Sequence, residues 1–311
     1  MNPALSVIFL TTLIGAGQGL FLALFGAELA ARWGSIARPD AVGFFAQGAA
    51  LVVVLEGLGL GASFLHLGRP ERAWRAASQW RTSWLSREVI ALPAFAGTSL
   101  LYGLAHYLGW GGTTLLGSLG VLACVALFVC TGMVYACIRF LQEWATPLTL
   151  VNYLLLGCAS GMTLAAAFST VAAPDLVVDY ARIAVALTFA GLCTRGAALA
   201  RNARLRPKST LQTAIGIRHP RIVQMAQGAM GGSFNTREFF HGKSRRFLRQ
   251  VKWGFLLFAF VLPILLLLAG SGRPVVIQLA FAIQFAGLLA ERWFFLAQAN
   301  HPQNLYYQAI S

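Results

Sequence analysis

Charge is the scarcest commodity in this sequence. Of 311 residues only 11% are Asp, Glu, Lys or Arg, less than half of the roughly 25% found in soluble globular chains. By contrast 58% are apolar, which excludes a water-soluble fold with a polar shell. Acidic residues are the rarest charged type, 10 against 24 basic, for a formal charge of +14. In a soluble chain that excess would point to nucleic acid. In a chain this apolar it is first a topology signal, since basic residues gather in cytoplasmic loops beside anionic lipid. Membrane lipid is therefore an expected partner, and nucleic acid is not.

Cysteine and histidine are also sparse, and their placement excludes several classes of cofactor. The five cysteines, Cys124, Cys130, Cys137, Cys158 and Cys193, all fall in apolar runs and none form a C-x-x-C pair. That pattern gives neither a disulfide framework nor an iron–sulfur or zinc site within the chain. A bis-histidine haem needs two imidazoles at matching depth on neighbouring helices. His66 and His106 lie at opposite ends of consecutive apolar runs, and His219, His241 and His301 lie outside such runs, so no haem is expected. Met1 to Phe9 carries no Lys or Arg, and its apolar run continues to Ala31 without a small-residue cleavage site; it reads as a retained first span rather than a signal peptide.

What the chain does have is long apolar runs. A helix crosses about 30 Å of hydrocarbon with about 20 residues, and eight windows of that kind are present: Leu5–Ala31, Ala41–Leu65, Val89–Leu108, Thr114–Ile138, Leu148–Val171, Leu176–Leu199, Val251–Gly270 and Pro274–Leu296. Backbone satisfaction in lipid makes all of them helical. The expected fold is an all-α integral membrane protein of eight transmembrane helices, a single domain over 1–311 with a long basic loop at about 201–250. When loops are assigned alternately to the two sides, 20 of the 24 basic residues fall on one side, including thirteen from Arg195 to Lys252. The positive-inside rule then places both termini and the elaborate loops in the cytoplasm. The opposite turns, Gly109 to Gly112 and Ala172 to Asp175, are too short to hold a site. The 201–250 segment, broken by Pro207, Pro220 and the Gly228 to Gly232 cluster, is either a solvated loop touching lipid or a docking strap for a soluble partner.

Ionisable residues at or within a span are functional candidates, because burying them is costly. The second span contains Glu56 near its middle and ends in Ser63, His66 and Arg69; the third opens with Ser86, Arg87 and Glu88. Consecutive antiparallel spans bring these ends to one membrane edge, and packed helices lie about 8–10 Å apart. His66 and Glu88 can thus face one pocket. Imidazole and carboxylate together suit a quinone, a two-electron, two-proton carrier with two carbonyl oxygens. The alternative is an interfacial histidine and a Glu that merely answers the positive start of a helix. Glu56, about 15 Å deeper along its helix, is either a proton-transfer residue or an interhelical structural carboxyl. Gln18 and Gln284 read as interhelical hydrogen-bonding residues. A proton-coupled secondary transporter is the rival of a different class; against it stand the missing internal repeat and the one-sided loops.

The run HLGRPER (His66 to Arg72), continuing AWRAASQWRTSWLSRE to Glu88, resembles the membrane-anchor subunits of DMSO-reductase-type molybdoenzymes. RFLQEWATPLT (Arg139 to Thr149), GGSFNTREFFHG (Gly231 to Gly242) and ERWFFLAQANHPQNLYYQ (Glu291 to Gln308) are similar to further segments of that family, and the likeness begins in the first helix at LSVIFLTTLIGAGQG. The resemblance implies an eight-helix subunit without its own haem, iron–sulfur cluster or molybdenum. Such a subunit holds a molybdopterin catalytic subunit and a four-cluster, ferredoxin-like iron–sulfur subunit on the bacterial cytoplasmic membrane, and exchanges electrons with membrane quinone, ubiquinone or menaquinone. In such anchors a His followed by Leu-Gly and a Glu opening the third helix are associated with quinol, which implies a quinone pocket of His66, Arg69, Ser86, Arg87 and Glu88. Arg69 stands where some members have a small residue. With a docking face expected in the cytoplasm, the likeness is closer to the quinone-linked sulfite dehydrogenase branch than to the outward-facing DMSO and polysulfide reductases, which oxidise quinol.

Overall fold

The structure is a computed structural model that describes residues 4–65, 67–223, 225–226, 240, 243–270 and 272–302. Eight helices are long and apolar enough to cross a membrane: α1 (Leu5–Arg32), α2 (Ala41–Phe64), α3 (Trp84–Leu108), α4 (Thr113–Ala136), α5 (Pro147–Ala172), α6 (Pro174–Ala203), α8 (Arg245–Ala269) and α9 (Pro274–Ala297). A one-turn helix, α7 (Leu211–Ile215), lies in the long connection. Among the described residues there is no strand.

Local chemistry sets the helix ends. Proline at the first helical position, where its missing N–H goes unneeded, opens α5, α6 and α9. The Ser83 hydroxyl accepts from Ser86 N–H at 3.3 Å and starts α3 at Trp84, five residues before the apolar run at Val89. Asp40 accepts from Gly43 N–H at the π-helical opening of α2. Gly109 and Gly112 adopt φ of +68° and +84°, the left-handed conformation that lets α3 and α4 join through so short a turn.

The bundle is built around α1 and α5. In their most apolar stretches 72% and 67% of residues are buried, against 28–39% for the other six. These two helices carry facing G-x-x-x-G patterns, Gly15 with Gly19 and Gly157 with Gly161. A Cβ on Gly161 would fall 2.3 Å from the Gly19 backbone, so the backbones are in direct contact, as small residues permit between membrane helices. Around this pair α2 and α4 pack on α1, α3 on α4, α6 and α9 on α5, and α8 on α9 and α6. Leu58, Leu122, Phe189 and Leu268 lie exposed on the outer helices, where lipid rather than water is the solvent. The chain is a multi-pass membrane protein, and with eight spans α1 starts and α9 ends at the same face as the connections carrying most of the arginines.

Candidate functional site: a carboxylate at the basic-loop face

The early start of α3 decides where Glu88 sits. It lies in the second turn, half-buried, and its Oε1 accepts a 2.6 Å hydrogen bond from the Thr131 hydroxyl of α4. Its contact is lateral, to a neighbouring span. Ser86, two residues earlier, is buried. Arg87 turns the other way, donating to the carbonyls of Trp80 and Arg81 at 2.9 and 2.8 Å, with its guanidinium 4.3 Å from the centre of the Trp84 ring. It thereby ties the 3-10 turn Pro70–Gln79 to the head of α3. Arg69 is exposed just before that turn. His66 lies outside the described residues, as do residues 227–239 of the long loop. Glu88, Ser86 and Arg87 thus share the head of α3, with Glu88 directed to α4 and Arg87 to the loop.

Behind Glu88 is a small cavity lined by Glu88, Thr131, Tyr153, Gln18, Thr11 and Phe128 among others, with room for about one water molecule. Gln18 donates to the Cys124 carbonyl at 2.9 Å and Gln284 to the Thr188 hydroxyl at 3.0 Å, the interhelical roles expected of both. Tyr153 is 4% exposed, and its hydroxyl has the Tyr135 side chain beside it but makes no well-formed hydrogen bond among the described residues. Its ring stacks on Tyr135, with centroids 5.5 Å apart at 11°. On the same ring lies the Arg292 guanidinium, 3.8 Å from the centroid.

Arg292 belongs to a buried ionic group that the loop count conceals. Glu291 is 2.6 Å from Arg195 Nε and 3.6 Å from Arg292, and all three are at most 4% exposed. One carboxylate between two guanidiniums leaves a net positive charge inside the protein, next to the tyrosine pair. Arg195 and Arg292 are therefore not loop charges; without them the bias is still eighteen to four. The signal available in the sequence was that both fall inside their own apolar windows, where an unpaired charge is too costly to stand alone.

Two other buried carboxyls contrast with each other. Glu56 is 2% exposed, neither of its oxygens has a partner among the described residues, and it faces Gly17, the residue before Gln18. Glu28, at the opposite end of the bundle, accepts from Thr113 and Thr114 and meets Arg32 at 3.3 Å. Its second oxygen faces His106 Nε2 at 3.5 Å, and that imidazole stacks on Phe45 at 4.4 Å. The bare turns on that face suggested no site; the polar group is built instead from the ends of α1, α3 and α4. No group of three or more His, Cys, Asp or Glu arranged to hold a metal ion occurs among the described residues.

Two comparisons bear on what such an arrangement serves. The family model for the DMSO reductase anchor subunit (DmsC) matches residues 1–290. A sulfite dehydrogenase subunit of Allochromatium vinosum is 54% identical, with each chain covered over its full length. An eight-span bundle with one-sided basic connections, matched along nearly its whole length, belongs to the DMSO reductase anchor subunit family.

Proposed function

We propose that this chain is the membrane-anchor and quinone-reactive subunit of a molybdopterin and iron–sulfur complex, passing electrons from cytoplasmic sulfite oxidation into the quinone pool. Full-length identity of 54% to a sulfite dehydrogenase subunit supports that branch over an outward-facing reductase that oxidises quinol. The positive-inside rule supports a cytoplasmic location for the termini and the docking face in the bacterial cytoplasmic membrane. The iron–sulfur partner docks over the basic connections, and the catalytic subunit is held through it.

The observation that carries the quinone reading is the setting of Glu88: half-buried at the membrane edge of the basic-loop face, bonded to Thr131, with a water-sized cavity behind it. A quinone ring does not fit that cavity. It fits against the open side of Glu88, toward the connection between α2 and α3 with His66 and Arg69 and the head of α3 with Ser86 and Arg87. When bound there, a quinone supplies a two-electron, two-proton acceptor. Glu88 and His66 donate protons to its two carbonyl oxygens, the Thr131 hydroxyl orients the carboxyl of Glu88, and Arg87 holds the connection against α3. Glu56 is assigned proton transfer deeper in the bundle.

Affinity purification of the tagged chain in mild detergent tests this reading, with metal analysis, protease accessibility from each side, and sulfite-dependent quinone reduction. The expected result is large partners containing molybdenum and iron on the cytoplasmic side, with sulfite reducing added quinone. The same partners on the outside would assign a DMSO-type reductase. A single polypeptide without either metal would overturn the anchor role.

A further inference from the structure

The cavity beside Glu88 has polar residues from four helices in its lining: Glu88 from α3, Thr131 from α4, Tyr153 from α5, and Gln18 and Thr11 from α1. A buried hydroxyl without a well-formed hydrogen bond is costly; Tyr153, whose hydroxyl has the Tyr135 side chain beside it but no well-formed hydrogen bond among the described residues, lines the same cavity as Glu88. A buried water is held where a site offers space for one probe sphere and two to four polar partners. This cavity meets both conditions.

We propose that it is a binding site for one structural water, hydrogen-bonded to Glu88 and to the Tyr153 hydroxyl, and that this water returns protons to Glu88. The inference rests on the quinone reading of Glu88. Each time Glu88 gives a proton to a substrate oxygen it becomes a carboxylate. The water passes one proton to that carboxylate and accepts one from the Tyr153 hydroxyl, which is recharged by a solvent proton entering at the basic-loop face; the relay ends as it began, with one solvent proton consumed. Tyr153 is a positioning residue that acts through the water. Arg292, 3.8 Å from the ring centroid, and Tyr135, stacked on the ring, fix its orientation. The relay thus lies on the inner side of Glu88, and substrate on its open side, so the carboxyl can exchange protons without the substrate leaving.

The test uses the assembled complex, with two readouts. High-resolution cryo-electron microscopy should show a single water peak within hydrogen-bond distance of both the Glu88 carboxyl and the Tyr153 hydroxyl. Tyr153→Phe keeps the ring, its stacking and the cation above it, so it should fold normally. It should lower kcat for quinone reduction by about tenfold, short of the ~10²–10⁴-fold of a group that transfers a proton directly. KM should stay near its wild-type value, the solvent deuterium isotope effect on kcat should rise, and dye-linked sulfite oxidation should be unchanged. A cavity closed by side chains or filled by lipid in the complex, or a Tyr153→Phe variant with wild-type kcat and isotope effect, would overturn the water relay. Wild-type quinone reduction by Glu88→Gln would instead overturn the reading beneath it, and the density would still answer whether the water is there.

Discussion

The two ends of the bundle each hold a carboxylate, and they treat it differently. At the far face Glu28 has several partners: Thr113, Thr114 and Arg32 meet one oxygen, the His106 ring lies 3.5 Å from the other, and together they tie the ends of α1, α3 and α4. At the basic-loop face Glu88 has one hydroxyl partner, an open side, and a cavity shared with Tyr153, whose hydroxyl has no well-formed hydrogen bond among the described residues. A carboxylate held by two hydroxyls and a guanidinium is stabilised in one state and resists change, whereas one with a single donor and a neighbouring water-sized space can gain and lose protons. The contrast teaches that burial alone does not mark a functional group in a membrane bundle; incomplete satisfaction beside a cavity does.

The comparison breaks most sharply at Glu88. Glu88→Gln preserves size and an acceptor for Thr131 but removes the proton, so quinone-linked turnover should fall ~10²–10⁴-fold. Assembly and dye-linked sulfite oxidation should persist. His66→Ala should show the same split in the same assay, and failure of the complex to assemble in both would assign the two residues a structural role. At the other end Glu28→Gln should do the reverse. Removing one member of a buried pair costs about 3–5 kcal/mol, read as a lower midpoint for thermal aggregation of the detergent-solubilised complex, with turnover per folded complex unchanged.

The Arg195–Glu291–Arg292 group lies near the Glu88 cavity through Tyr153 but is ion-paired like Glu28, so it tests where the contrast stops. Glu291→Leu, which leaves both guanidiniums without a carboxylate, should destabilise by about 3–5 kcal/mol, and Arg195→Met by less, since Glu291 keeps Arg292. If the Arg195→Met variant is stable but slow in quinone reduction, the group acts on Tyr153 and not only on the ion pair that links α6 to α9.

The fold was legible in the sequence because a span has a length and a composition that no soluble segment shares. All eight windows reappear as helices, and the ends moved by more than two residues only where polar residues cap or extend a helix: Ser83 starts α3 at Trp84, α6 runs on to Ala203, and α8 begins at Arg245. The site was half legible. Glu88 stood out because a carboxyl beside a span is rare; Tyr153 and Thr131 did not, because a tyrosine or threonine in an apolar run is common and only packing shows which one faces a cavity. Glu28 and His106 are 78 residues apart in sequence and meet only through the antiparallel arrangement of α1 and α3. Arg195 and Arg292 were counted as loop charges because a loop count weighs arginines by sequence position, and burial depends on the partner across the bundle, here Glu291.

Glu56 sits between the two types and sharpens the comparison last. It is as buried as Glu28 but as unsatisfied as the tyrosine at the Glu88 cavity, with both oxygens unpartnered among the described residues. If incomplete satisfaction is the mark of a working group, Glu56 belongs with Glu88. It faces Gly17, adjacent in α1 to the Gln18 that lines the cavity, so its effect should be felt there but at one remove. Glu56→Gln should slow quinone-linked turnover by about tenfold, less than Glu88→Gln. It should also leave thermal stability within about 1 kcal/mol of wild type, since no pair is broken. A variant with wild-type turnover and a stability loss as large as that of Glu28→Gln would place Glu56 among the structural carboxyls, and would show that spare valence has functional meaning only where a cavity accompanies it.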